Sequence, residues 1–278
     1  MFGLYSKIIT KEKRISMLRL IIQMIFVTAL LFPLSSSAAE SFRVPVLLYH
    51  RFGATVADGM TTTTPVFEAQ MKYLHDNGYK VIPLRQLVDH YRGKASAPGP
   101  KSVVIVEDDA HKSVYSDMLP IIQKYRYPVT IFVYPSAISN AKYAMTWDQL
   151  RELTKTGLFD IQSHTYWHPN FKKERKKLSP DALDLLVKTQ LNKSKARLET
   201  ELGTKVDMLA WPFGIYDDYL INRANQTGYR ATFTIERRHA TSTDSVKKLP
   251  RYLLVNADSG KAFVQLLEGN AVKRNDAY

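Results

Sequence analysis

The segment SVVIVEDDAH, residues 102–111, decides how the rest of the chain is read. Val103, Val104, Ile105 and Val106 run without a polar interruption and stop at three successive carboxylates, Glu107, Asp108 and Asp109. A short unbroken β-branched run suits a strand covered on both faces, as in a parallel sheet flanked by helices. Three adjacent anions repel one another, so the strand end needs a cation or a proton nearby, or else a solvated turn whose Asp caps the next helix.

The same alternation extends on either side. Strands are expected at 44–49, 80–83, 102–107, 129–134, 159–163, 208–211, 230–235 and 251–255, and helices at 65–76, 84–91, 114–125, 147–155, 180–202, 217–226 and 261–267. Thr64-Pro65 and Ser179-Pro180 each offer a cap followed by a first-turn proline, and Gly78, Gly157, Gly203 and Gly228 sit where left-handed helix terminators are expected. Repeated βα units of this kind fit an α/β barrel of parallel strands better than an open doubly wound sheet. No G-x-G-x-x-G, G-x-x-x-x-G-K-[ST] or G-x-S-x-G occurs, which removes the usual warrants for dinucleotide, P-loop and serine-hydrolase readings.

Composition narrows the chemistry. The chain has 278 residues, 45% hydrophobic and 23% charged, enough for one globular domain or at most two. It has no cysteine, which excludes a thiol nucleophile, a thiolate zinc site and a cysteine-held iron–sulfur cluster; a metal would need His, Asp or Glu. Five basic residues precede an apolar run at 20–34, and Ser37-Ala38-Ala39 ends it with small side chains, so residues 1–39 read as an export signal ahead of a domain at 40–278. Fifteen residues reach only about 22 Å as a helix, short of the roughly 30 Å hydrocarbon core, although retention as an uncleaved anchor remains the alternative. The formal charge is +13, and without residues 1–39 there are 34 basic against 25 acidic side chains. For an exported protein this points to anionic envelope polymers rather than nucleic acid. The densest basic run, FKKERKKL at 171–178, reads as a solvated mobile loop or as a polyanion contact.

In a parallel barrel, chemistry gathers at the C-terminal strand ends. These hold Tyr49-His50, Glu107-Asp108-Asp109, His164, Trp211-Pro212-Phe213-Gly214 and Glu236, with His168 four residues beyond His164. Two imidazoles and a carboxylate on one rim supply three donors for a metal while leaving positions open for water and substrate. Tyr134, Tyr166, Trp167, Trp211 and Phe213 flank these groups, either as stacking faces for sugar rings or as core plugs. His75, His90 and His239 read as surface residues, and His111 either as a structural residue at a helix start or as a modulator of the carboxylates it follows.

VEDDA, SHTYWHP and AWPFG, in that order, resemble the marks of the polysaccharide deacetylases of the NodB-homology family, whose strand end reads T-F-D-D-G and whose later motif reads R-x-P-[YF]-G. The similarity spans about residues 44–255. VPVLLYHRF at 44–52 and DDAHKSVYSDMLPII look more specifically like exported poly-N-acetylglucosamine deacetylases. The resemblance implies a distorted (β/α) barrel of about seven strands and metal-dependent N-deacetylation. It also implies Asp108 as general base, with Asp109, His164 and His168 as ligands of one divalent cation, zinc by default, with iron, cobalt or nickel as alternatives. Trp211, Phe213, Gly214, Trp167 and Tyr134 would contact substrate, and a backbone N–H around Phe213-Gly214 would face the oxyanion.

Three departures stand out: Glu107 replaces an aromatic, Ala110 replaces a glycine, and Ala210 stands where the arginine that pairs with the base is expected. Other groups must then orient Asp108. The apolar run LPRYLL at 249–254 contains no histidine, which leaves His50 as the candidate general acid, or else as a hydrogen-bonded structural residue of the rim. The expected partner is a polysaccharide, with no protein or nucleic-acid partner, and with a membrane only if residues 1–39 are retained. The alternatives are a non-catalytic carbohydrate-binding protein on the same barrel, or a deacetylase of peptidoglycan or another acetylated glycan.

Overall fold

The structure is a computed structural model and describes residues 41–274; the expected export signal at 1–39 and its boundary with the domain lie outside the described residues. Eight parallel strands build the sheet: β1 (Val46–Tyr49), β2 (Lys80–Val81), β3 (Ser102–Asp108), β4 (Val129–Val133), β5 (Phe159–Ser163), β6 (Met208–Ala210), β7 (Ala231–Phe233) and β8 (Tyr252–Leu253). Seven form a continuous path in the order β7-β6-β5-β4-β3-β1-β8, while β2 pairs with the start of β3. The path curls into a half-barrel, the distorted barrel of about seven strands that the motifs imply. Its ends are drawn together by the segment entering β8: Leu249 N–H donates to Thr232 O at 2.9 Å and Thr234 N–H to Leu249 O at 2.9 Å. Arg251 Nε–H adds a bond to Thr234 O at 2.9 Å.

Successive side chains of a strand face opposite ways, and β3 shows the consequence. Val103 and Ile105 belong to the core packed against Phe67, Met71 and Ile121 of the helical layer. Val104 and Val106 join Phe132 and Phe233 inside the curl. The same alternation puts Asp108 on the interior side and Glu107 on the helix side, and both are buried.

The helices α1 (Thr64–Asp76), α2 (Leu84–Tyr91), α3 (Leu119–Tyr125), α4 (Trp147–Lys155), α5 (Phe171–Arg175), α6 (Pro180–Leu202), α7 (Asp218–Gln226) and α8 (Lys261–Leu267) fall where periodicity places them, with four differences of physical interest. The expected helix at 114–125 opens with a wide π-turn at Val114–Met118, because Pro120 has no N–H to continue an α ladder. Thr64 does not cap α1: its hydroxyl donates to Asp117 Oδ1 at 2.6 Å, and Thr63 holds the cap position while its own hydroxyl donates to Asn256 Oδ1 at 2.8 Å instead of capping the helix. The basic run is not a mobile loop at its start, since Asn170 Oδ1 accepts from Lys173 N at 3.0 Å and buried Phe171 packs edge-on to Trp211. His239 is buried rather than exposed, its Nε2 lying 3.0 Å from Leu266 O. Among the described residues, no helix is long and apolar enough to cross a membrane.

Candidate active site

The C-terminal strand ends converge on a cleft of about 170 Å3 whose lining includes His50, Asp108, Asp109, His164, His168, Trp211, Phe213 and Gly214, together with Arg51 and Met60. The backbone here is unusual. Asp109, Ala110, Thr165, His168 and Phe213 all have positive φ, five of the eight non-glycine residues that do so among those described. Such conformations cost energy and persist where surrounding contacts dictate them.

Asp109, His164 and His168 offer ligand atoms that all lie within 4.8 Å of one another. Asp109 Oδ1 is 3.6 Å from His164 Nε2 and 3.7 Å from His168 Nε2. His164 Nδ1 sits 2.8 Å from Ala210 O, which requires Nδ1 to be the donor and leaves the Nε2 lone pair facing the carboxylate. Burial lowers the His164 pKa to about 3 and that of His168 to about 4, so both imidazoles are neutral and able to donate lone pairs. Asp109 Oδ1 is buried with no hydrogen-bond partner among the described residues. Burial raises the Asp109 carboxyl, Asp108 adds to this and His50 opposes it. An orphaned buried carboxylate oxygen beside two neutral imidazoles fits a divalent cation by donor chemistry.

Asp108 is held differently. Arg251 Nη1 donates to its Oδ1 at 2.7 Å and Nη2 to its Oδ2 at 2.9 Å, with the arginine side chain fully buried. Burial pushes the Asp108 carboxyl up, but Arg251 and then His164 more than reverse this, and its pKa lies below the ordinary value. Arg251 is the functional residue that motif reading missed: Ala210 leaves room inside the curl, and the guanidinium arrives from the segment preceding β8. Its signal was a lone cation within LPRYLL, since a buried charge in an apolar strand requires a partner.

Other expected residues are placed as follows. His50 lines the cleft, and its Nδ1 is buried without a partner among the described residues. Burial lowers its pKa, with Asp109 and Asp108 pulling it back up. Phe213 packs edge-on against His168 at 4.6 Å between ring centroids. Gly214 N–H donates to Trp211 O at 2.9 Å, so that amide is engaged within its own turn. Trp211 is 0% exposed and forms the floor rather than an open stacking face. Trp167 is 46% exposed on the outer loop, and Tyr134 lies beside His168 with its hydroxyl 2.6 Å from that of Tyr143; neither lines the cleft. Glu107, one of the three departures, is buried and accepts backbone N–H groups from the turn that carries Asp109.

Parallel half-barrel, paired carboxylates and histidine cluster define a polysaccharide deacetylase, a hydrolase acting on N-acetyl amide bonds. Residues 95–232 match the polysaccharide deacetylase family model, and the chain carries a domain of that family. Over 206 residues the chain is 27% identical to a poly-β-1,6-N-acetyl-D-glucosamine N-deacetylase of Staphylococcus aureus, covering 73% of this chain and 69% of that one. The fold is shared with the Streptococcus pyogenes deacetylase PplD, at a TM-score of 0.72 and 22% identity over 81% of this chain and 98% of that one. IcaB from Ammonifex degensii gives a TM-score of 0.70 at 23% identity, covering 83% and 97%.

Proposed function

We propose that this polysaccharide deacetylase is an exported, metal-dependent enzyme that removes acetyl groups from a poly-N-acetylglucosamine-type glycan of the cell envelope, periplasmic or secreted, or anchored in the inner membrane if residues 1–39 are retained. The observation that carries it is the division of labour between adjacent carboxylates: Asp108 is clamped by Arg251, while Asp109 is left open beside His164 and His168. The similarity to a poly-β-1,6-N-acetyl-D-glucosamine N-deacetylase supports the choice of glycan.

Asp109, His164 and His168 hold the cation, with zinc as the default. When bound, a divalent cation lowers the pKa of water and polarises an amide carbonyl. Asp108 accepts the proton of the attacking water, and the Arg251 fork keeps it ionised and aimed while it does so. The new C–O bond forms at the acetyl carbon as the carbonyl π bond opens, and the charge that develops on its oxygen is what the site has to stabilise. His50, protonated from solvent, passes its proton to the sugar nitrogen as the C–N bond breaks, and Asp108 returns the proton it took from water to solvent, which resets both groups. Acetate departs and a free amine remains. Trp211 beneath the cleft and Phe213 against His168 give the acetyl group an apolar seat.

The test is acetate release by the zinc-loaded protein from a panel of poly-β-1,6-N-acetylglucosamine oligomers, chitin oligomers, peptidoglycan and acetylated xylan. Release chiefly from the first supports the proposal. Release chiefly from another member reassigns the substrate, and no release despite bound zinc overturns it.

A further inference from the structure

The turn after β3 is built from residues poorly suited to it. Asp109 has φ +86° and Ala110 φ +56°, both in the left-handed region where a Cβ is disfavoured, and Ala110 is fully buried. Every backbone group in such a buried turn needs a partner. Asp109 N–H donates to Phe132 O at 3.0 Å, and Ala110 O accepts from Met145 N–H at 3.0 Å. The remaining two donors go to one side chain: Ala110 N–H to Glu107 Oε2 at 3.2 Å and His111 N–H to Glu107 Oε1 at 3.4 Å. Glu107 is 0% exposed, and the strand alternation directs it to the helix side, away from the cleft. It therefore cannot meet substrate, and its carboxylate spans the turn from behind.

We propose that Glu107 is a positioning residue whose carboxylate replaces the conformational freedom that a glycine at 110 would supply, fixing the turn so that Asp109 Oδ1 is presented to His164 and His168. Glu107 and Ala110 then form one compensating pair rather than two separate departures. The inference rests on the metal site proposed above, and it concerns how this chain shapes that site.

The test is a double-mutant cycle of Glu107→Gln and Ala110→Gly. Gln keeps the shape but loses one acceptor, so the fold should survive, and circular dichroism checks that it does. Zinc affinity is measured by competition with a chromophoric chelator, independently of turnover. Glu107→Gln should weaken zinc binding by about 10- to 100-fold, the range for groups that orient ligands. Ala110→Gly alone should change it little, and Ala110→Gly in the Gln background should recover most of the loss. Unchanged zinc affinity in Glu107→Gln overturns the proposal, as does a double variant no better than Glu107→Gln alone. A lowered melting temperature without a zinc-affinity change would mark a merely structural role and overturn it too. Absence of zinc binding by the unaltered protein is a different result, which removes the metal site itself.

Discussion

Arg251 and Asp108 lie 143 residues apart in sequence and meet through two parallel hydrogen bonds of 2.7 and 2.9 Å, both side chains out of reach of solvent. A fork on both oxygens fixes the plane of the carboxylate as well as its charge, which a lysine cannot do. Breaking such a buried pair from one side costs about 3–5 kcal/mol, because the remaining ion keeps its desolvation penalty.

Arg251→Lys should keep the protein folded and lower acetate release by about 10²-fold, the scale of a small misplacement of a reacting group. Burial alone raises the Asp108 carboxyl and Arg251 is the chief group opposing it. Weakening the pair therefore raises that pKa, and the acid limb of the rate profile should move to higher pH. A profile measured from about pH 2.5 to 8, reaching below the ordinary Asp value of about 3.9, checks this; an unmoved limb would separate Arg251 from the titration of Asp108.

Asp108→Asn and His168→Ala should fail in different ways. The amide cannot take a proton, so zinc should stay bound while turnover drops by about 10²- to 10⁴-fold. His168→Ala removes a donor, and zinc content and activity should fall together, as they should on dialysis against a chelator. Metal analysis of both purified variants decides it, and loss of zinc from Asp108→Asn would reverse the assignment of the two carboxylates.

His50 is tested with two substrates. In His50→Ala, hydrolysis of an acetamido sugar, whose amine needs a proton, should fall well below hydrolysis of an aryl acetate, whose phenolate does not. Equal losses on both would make His50 a structural part of the rim.

Gly214 has φ +65°, and a Cβ there would come within 2.4 Å of Ile235 Cγ1. Gly214→Ala combines a disfavoured conformation with a collision against a side chain of the cleft wall. It should cost about 1–3 kcal/mol in urea unfolding and lower activity by distorting Phe213. Wild-type stability with wild-type activity would mean that Ile235 moves aside freely.

Acid sensitivity should have a contribution at the opposite end of the sheet. Burial raises the Asp207 carboxyl, but Arg85 at 2.9 Å and Lys205 at 3.1 Å more than reverse this, so its folded-state pKa lies below the usual value. A carboxyl depressed in the folded state stabilises above its unfolded pKa, about 3.9 for Asp, and that stabilisation is lost as pH falls through the folded value. Arg85→Met should therefore be less stable than the unaltered protein at pH 7, with the gap narrowing toward pH 3. Denaturation at the two pH values measures it, and an equal gap at both would exclude Asp207 as its source.

Local signals carried much of the fold. Ser179 caps α6, which begins where Ser179-Pro180 predicts, and α4 starts at the expected residue behind a capping box of Thr146 and Gln149 that the structure shows. The histidine cluster was legible because Asp109 and His164 follow directly on their strands and His168 lies four residues further along the same loop. Arg251 was not, because its partner is set by how β8 is laid beside β1 across the sheet, and no local pattern encodes that neighbour. His239 was misplaced for the same reason: a polar loop in sequence becomes interior once the chain near Leu266 covers it. At 171–178 the many lysines obscured two helix signals, the Asn170 cap and an apolar Phe171 beneath it.

Arg251 also joins the two ends of the curled sheet, through its Nε–H bond to Thr234 beyond β7. One side chain thus performs two tasks that become possible at the same moment. A polypeptide emerging in order from its N-terminus acquires Asp108, Asp109, His164 and His168 well before residue 251. Until that last strand docks, Asp108 has no guanidinium to hold it, and the proposed mechanism lacks its oriented base. On the proposed mechanism, drawing the sheet ends together and orienting Asp108 depend on the same side chain, so activity is expected only of molecules in which Arg251 is in place.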